Sequence, residues 1–242
     1  MKKIAIGMAV ALCSLASVNA QTLINVDFGT GSSPTMSGAA ILGSAGDVWN
    51  PISADQNGVA LLNSAGTAVT GTSWTYTTGH GLFDNTGGTA MDAATTPLME
   101  DYMYGNAGNE GGTIFGLTPG AAFTLVIYGA GDSVGQSDIM SLSGDMTGGN
   151  TGSILTTTGV DRKISNGIGD AYNTFTGIVG ASGQIQVVLA PNTAVNPSNT
   201  NAAFNGFQIL EAPVPEPSTY ALMLGGLGLL AFVTLRRRQV RG

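Results

Sequence analysis

The chain has 242 residues, with eight Lys or Arg against fifteen Asp or Glu and a formal net charge of −7. Six of the eight bases sit in the first three and last seven residues, so the interval from Gln21 to Glu211 sets fourteen acids against only Arg162 and Lys163. That interval repels phosphate backbones, which excludes nucleic acid as a partner; with one Cys and one His, thiol catalysis and the usual zinc ligand sets have no residues to draw on once Cys13 is removed.

Met1-Lys2-Lys3 precedes an apolar run from Ile4 to Val18, and Val18-Asn19-Ala20 offers the small residues a signal peptidase reads. The pattern predicts a secretory signal helix over 1–20, cleaved between Ala20 and Gln21. Leu12 directly before Cys13 is too large for a lipobox, so Cys13 is expected to leave with the signal.

The segment from 21 to 212 is long enough for one domain with a single core. The chain carries 37 Gly, roughly twice the usual frequency of about 7%, and this could suggest disorder, but the apolar pattern argues for strands. Ile24, Val26 and Phe28 alternate with Asn25 and Asp27; Thr72, Trp74 and Tyr76 share one side of a Thr-rich run; Phe123, Leu125 and Ile127 alternate before Tyr128; and Ile185, Val187 and Leu189 follow Gln184. Each reads as a period-two strand with one face buried. Leu117-Thr118-Pro119-Gly120 predicts a tight hairpin turn between strands Thr113 to Leu117 and Ala122 to Tyr128. Further strands are expected at Val59 to Asn63, Ile139 to Ser143, Ile154 to Thr158, Tyr172 to Val179 and Phe204 to Leu210, with a short turn at Leu98 to Met103. The fold class expected is all-β, an antiparallel β-sandwich of jelly-roll type over 21–212, flanked by the signal helix and a C-terminal transmembrane helix.

That last helix lies within 213–242. Prolines 213, 215 and 217 hold an extended segment that presents itself for binding. An uncharged run of 16 residues follows, from Tyr220 to Leu235; at about 1.5 Å per residue it spans roughly 24 Å, short of a bilayer core of about 30 Å. Gly225, Gly226 and Gly228 give it a small-residue face suited to approach by another transmembrane helix. Arg236, Arg237 and Arg238 then act as a stop, and by the positive-inside rule the acidic interval is exported while the arginines stay in the cytoplasm.

Val214-Pro215-Glu216-Pro217-Ser218-Thr219, the Gly- and Leu-rich span and the Arg236 to Arg238 cluster, in that order, resemble a PEP-CTERM sorting signal, the tail recognised by exosortases in Gram-negative bacteria. The resemblance covers about Pro213 to Gly242. It implies export, transient anchoring in the inner membrane, and processing near Pro215-Glu216-Pro217 by a membrane-embedded cysteine transpeptidase. Delivery to the surface or to an exopolysaccharide matrix follows, while the activity of 21–212 is left open. Within 21–212, Ile24 to Gly29, the Gly116 to Gly120 turn and Ala203 to Ile209 resemble galactose-binding-like or malectin-like jelly rolls. This second resemblance implies pairing of the first strand with the last and a carbohydrate-binding role, without transferring any ligand residue.

Catalytic chemistry is mostly absent. Gly131-Asp132-Ser133 after an apolar run resembles the nucleophile block of GDS-type esterases, but that chemistry needs a downstream His and the one His, His80, lies upstream. Asp132 and Ser133 therefore read as turn residues. Glu100, Asp101, Glu110 and Asp132 could supply the two carboxylates of a glycosidase, although exposed charges maintaining solubility explain them as well. No cofactor is expected, and no metal site is assigned; Asp132, Asp138, Asp145 and Asn150 could supply oxygens to a structural calcium ion, though without EF-hand spacing. Trp49, Tyr102 and Tyr104 are the candidate carbohydrate contacts, provided their rings are exposed, whereas Trp74 fits a core position. Two functions remain: a non-enzymatic surface or matrix protein with exosortase and exopolysaccharide as partners, or a secreted carbohydrate-active hydrolase using paired carboxylates.

Overall fold

The computed structural model describes residues 21–29, 34–53, 56–76, 81–84, 87–105, 110–214 and 225–230. The signal segment 1–20, His80, Pro215-Glu216-Pro217 and Arg236 to Arg238 lie outside the described residues, as does most of the expected transmembrane span. Residues 225–230 are helical, and among the described residues no helix is long and apolar enough to cross a membrane.

Residues Gln21–Ala212 form one compact unit. Its described strands are β1 Thr22–Phe28, β2 Asn50–Ile52, β3 Val59–Leu62, β4 Ala68–Tyr76, β5 Gly81–Asp84, β6 Asp101–Tyr104, β7 Glu110–Phe115, β8 Ala122–Tyr128, β9 Asp138–Gly144, β10 Met146–Thr147, β11 Leu155–Thr156, β12 Tyr172–Val179, β13 Ile185–Pro191, β14 Ala203–Phe204 and β15 Gly206–Glu211. A four-residue helix, α1 Thr96–Met99, precedes β6. One six-stranded sheet runs β10-β12-β8-β15-β1-β2, a second runs β11-β9-β13-β7-β4-β3, and a three-stranded sheet runs β14-β6-β5. All of these pairings are antiparallel except β1 with β2.

The alternating residues build a shared core. Phe28 and Phe207 from the first six-stranded sheet meet Trp74 from the second at ring separations of 5.4 and 5.2 Å. Phe204 from the small sheet lies 4.6 Å from Phe28. β1 and β15 pair antiparallel, with Ile24 opposite Ile209 and Val26 opposite Phe207, as the jelly-roll resemblance implied.

The expectation of one buried face fails for the strands at the centre of the first sheet. In β8, Leu125 and Ile127 enter the shared core, while Val126 and Tyr128 enter a second cluster with Met36, Trp49, Leu98 and Met99. α1 and the segment before β2 thus cover the outer face. β1 is covered likewise, so Asn25 and Asp27 are buried although they occupy the polar phase of the alternation.

The hairpin expectation also fails, although its turn forms. Ala121 N donates to Thr118 O at 3.0 Å with Gly120 at φ 81°, the left-handed geometry glycine tolerates after Pro. Yet β7 pairs with β4 and β13, and β8 with β12 and β15. Ile114 and Phe123 both point into the shared core, from opposite sheets, so the turn carries the chain from one sheet to the other. Where a short turn was expected at Leu98 to Met103, the chain completes α1 and enters β6, which places Tyr102 and Tyr104 on a strand.

Candidate functional site

β6 separates its side chains by the period of two. Met103 enters the shared core, while Tyr102 and Tyr104 occupy the other phase beside Phe83 of β5, which stands opposite Tyr102 in register. The Phe83 ring lies 5.5 Å from Tyr102 and 6.5 Å edge-on from Tyr104. Gly81 pairs with Tyr104, and a Cβ there would come within 2.5 Å of the Tyr104 ring. The glycine therefore lets the ring lie down across the strand. Phe83 is 39% exposed and Tyr104 half-buried, whereas Tyr102 is 4% exposed. The Tyr102 hydroxyl donates to Asp132 Oδ1 at 3.0 Å. Burial, then the charge of Asp132, holds that phenol well above its ordinary pKa. The result is an aromatic strip with one anchored ring and two partly open ones.

On the other phase of β6, Asp101 lines a cavity of about 190 Å³ together with Asp27, Gly29, Pro34, Thr35, Pro51 and Ser53. A Cβ on Gly29 would sit 2.6 Å from Asp101 Oδ2, so glycine is what admits this carboxylate. Asp27 Oδ2 accepts the Met36 N–H at 2.7 Å, while its Oδ1 has no hydrogen-bond partner. Burial pushes the Asp27 carboxyl well up, the Met36 N–H opposes this, and the charges of Asp101 and Glu100 push it further.

Arg162 positions the start of β6. It is fully buried and donates from Nε to Thr89 Oγ1 at 3.2 Å, from Nη1 to Met99 O at 3.1 Å, and from Nη2 to Thr89 O at 3.1 Å and to Gly87 O. A guanidinium suits this task because its planar fork reaches several carbonyls at once, including the free carbonyls at a helix C-terminus. Burial lowers the Arg162 pKa, and the charges of Asp132, Tyr102 and Glu100 oppose that.

The other expected site residues are dispersed. Trp49 is 3% exposed, and its Nε1 donates to Gly38 O at 2.8 Å; it packs 6.4 Å from Tyr128. Neither Trp49 nor Tyr102 meets the condition of exposure on which sugar stacking was expected. Glu100, Asp101 and Glu110 are buried, which overturns their reading as exposed solubilising charges. Ser133 O accepts the Gln136 N–H at 3.0 Å in an exposed turn. The expected calcium ligands have separate partners: Asp138 Oδ1 accepts Ala203 N, Asp145 Oδ2 accepts Ser182 N, and Asn150 bonds Thr174 and Thr176. Among the described residues no group of three or more His, Cys, Asp and Glu could hold a metal ion.

Phe83, Asp27 and Arg162 were missed as site residues. Phe83 lies in a four-residue strand among glycines, too short for periodicity to declare. Arg162 did carry a signal, since one of two bases among fourteen acids is well placed to be held inside.

The fold and tail together define a β-rich domain carried on a sorting segment. Residues 213–238 match the PEP-CTERM protein-sorting motif, so the chain carries the signal of an exosortase-sorted protein directed through the membrane toward the cell surface. No curated protein matches the sequence. Among solved structures the chain is similar to one in the crystal structure of plant peptide RALF23 in complex with FER and LLG2, at 12% identity and a TM-score of 0.39, over 79% of this chain and 40% of that one. A likeness that weak carries no argument about the site.

Proposed function

We propose that this is a non-enzymatic component of the surface or exopolysaccharide matrix of a Gram-negative bacterium. Its 21–212 domain, a β-sandwich of jelly-roll type, contacts polysaccharide through the Phe83–Tyr104 strip. The sorting motif supports the destination. The observation that carries the contact is the partly open ring of Phe83, backed by Tyr102 and standing beside Tyr104. Aromatic faces stack on the apolar faces of pyranose rings, and such stacking needs rings held rigid before the sugar arrives. The Tyr102 to Asp132 bond and the glycine beneath Tyr104 supply that rigidity.

Removal of the 1–20 signal and processing of 213–242 complete the proposed route, leaving 21–212 as the mature domain. Retention of the protein on the producing organism's own exopolysaccharide, lost in Phe83→Ala, supports the reading. Release of oligosaccharide from that polymer by the purified protein overturns its non-enzymatic part.

A further inference from the structure

We infer that Gln21, as the first residue of the mature chain, closes to a pyroglutamate lactam, promoted by the uncharged pocket beside it. The inference rests on the removal of the 1–20 signal proposed above. The compact unit also begins at Gln21, the residue that Val18-Asn19-Ala20 puts directly after the cut.

Gln21 is exposed and stands one residue before the first pair of the β1–β15 ladder, Thr22 with Glu211. Pairing of β1 therefore leaves its backbone free to turn. It lines a pocket of about 100 Å³ with Ala122, Phe123, Thr124, Leu210 and Ala212. Ala212 N donates to Ala122 O at 2.8 Å, which ties the two sides of the pocket together. No charged side chain is among the described residues that line it. Glu211, opposite Thr22, gives its Oε1 to Thr118 N at 2.8 Å. An apolar neighbourhood without a carboxylate favours the neutral form of an amine.

The reaction needs no cofactor. An α-amine has an ordinary pKa of about 7.7–8.0, so part of it is unprotonated at neutral pH. That free amine attacks its own Cδ, and the ring closure gains from having both groups held in one residue. The bond from the amine nitrogen to Cδ forms, the Cδ–Nε2 bond breaks, and Nε2 leaves as ammonia with a proton taken from the amine. The lactam carries no charge, and its methylenes have Phe123 and Leu210 as apolar neighbours. Before closure the mature domain has two amines, on Gln21 and Lys163; afterwards only Lys163 remains. A chain that starts with a lactam offers an aminopeptidase no free amine, which suits a protein kept outside the cell.

The test is mass spectrometry of the extracellular protein, whole and after digestion, combined with an amine-reactive label. The N-terminal peptide should start at position 21, weigh one ammonia less than its sequence and carry no label. The intact chain should take up label on Lys163 alone, whereas Gln21→Ser should be labelled at its N-terminus as well. Ala122→Glu, a change at an exposed residue of the pocket, should hold the amine protonated and slow closure by about two- to tenfold. A peptide that starts at Gln21 with its full mass and a labelled amine overturns the lactam and leaves the export route intact; a start at any other residue overturns both. An unchanged rate of closure in Ala122→Glu overturns the part given to the pocket.

Discussion

Gln208 Nε2 donates to Asn25 Oδ1 at 2.8 Å, so β15 and β1 are joined through buried side chains as well as through backbone. The same Gln208 accepts from Tyr128 Oη at 2.6 Å and from Leu42 N at 2.9 Å, and donates to Leu42 O at 3.0 Å. Asn25 in turn donates to Val48 O at 3.0 Å. This polar row fastens the segment before β2 onto the outer face of the first sheet.

Replacing Gln208 with Ala leaves Asn25, Tyr128 and the Leu42 backbone without their buried partner. A buried polar group left unsatisfied costs about 1–3 kcal/mol, so Gln208→Ala should lower stability by about 3 kcal/mol in urea unfolding. A loss below about 1 kcal/mol would mean that the segment is held by its apolar contacts alone.

Arg162→Lys should be almost as damaging as Arg162→Ala, with a loss of about 2–4 kcal/mol by thermal unfolding, because an ammonium cannot serve Thr89, Met99 and Gly87 together. Lys163→Ala, which breaks a partly exposed ion pair with Asp161, should change stability by under about 0.5 kcal/mol. An effect of Arg162→Lys no larger than that of Lys163→Ala would refute the positioning role of Arg162.

Asp138 is fully buried, and burial raises its carboxyl well above the ordinary 3.8, opposed by the Ala203 N–H. The folded state therefore binds this proton more tightly than the unfolded state does. Its contribution is fully present below the unfolded pKa and is lost as pH rises toward the folded one. The stability of Asp138→Asn relative to wild type should accordingly improve with rising pH across that window, by up to about 1.4 kcal/mol per pH unit. Urea unfolding at a series of pH values measures this, and a constant difference would show that Asp138 stays ionised in the fold.

Phe83→Ala removes a ring that is 39% exposed, so it should cost under about 1 kcal/mol of stability while reducing retention on exopolysaccharide. Gly81→Ala should reduce retention as well, because its Cβ displaces the Tyr104 ring. Full retention by both variants would remove the strip from the proposed function.

Much of the scaffold was legible from period two. Ala122 to Tyr128 and Tyr172 to Val179 are strands with the expected bounds, because a buried inner row forces strict alternation. Alternation does not report whether a second layer covers the polar row, and this is why Asn25 and Asp27 looked solvated. Pro119-Gly120 specifies a turn and not which sheet receives the chain afterwards. The cavity was illegible for a related reason: Asp27 and Asp101 are brought together by tertiary packing between strands far apart in sequence. Trp49 misled because its loop-like neighbours hide a cover supplied by Tyr128 and Gly38. The sorting tail was the most legible element, since its composition and order carry the signal without any fold.

The proposed function requires that tail to be a removable address. Intact-mass spectrometry of the protein recovered from outside the cells tests this directly. The expected product has its N-terminus at Gln21 and a new C-terminus near Pro215 to Pro217, with Arg236 to Arg241 gone. Extracellular protein that still carries Arg241 would contradict it.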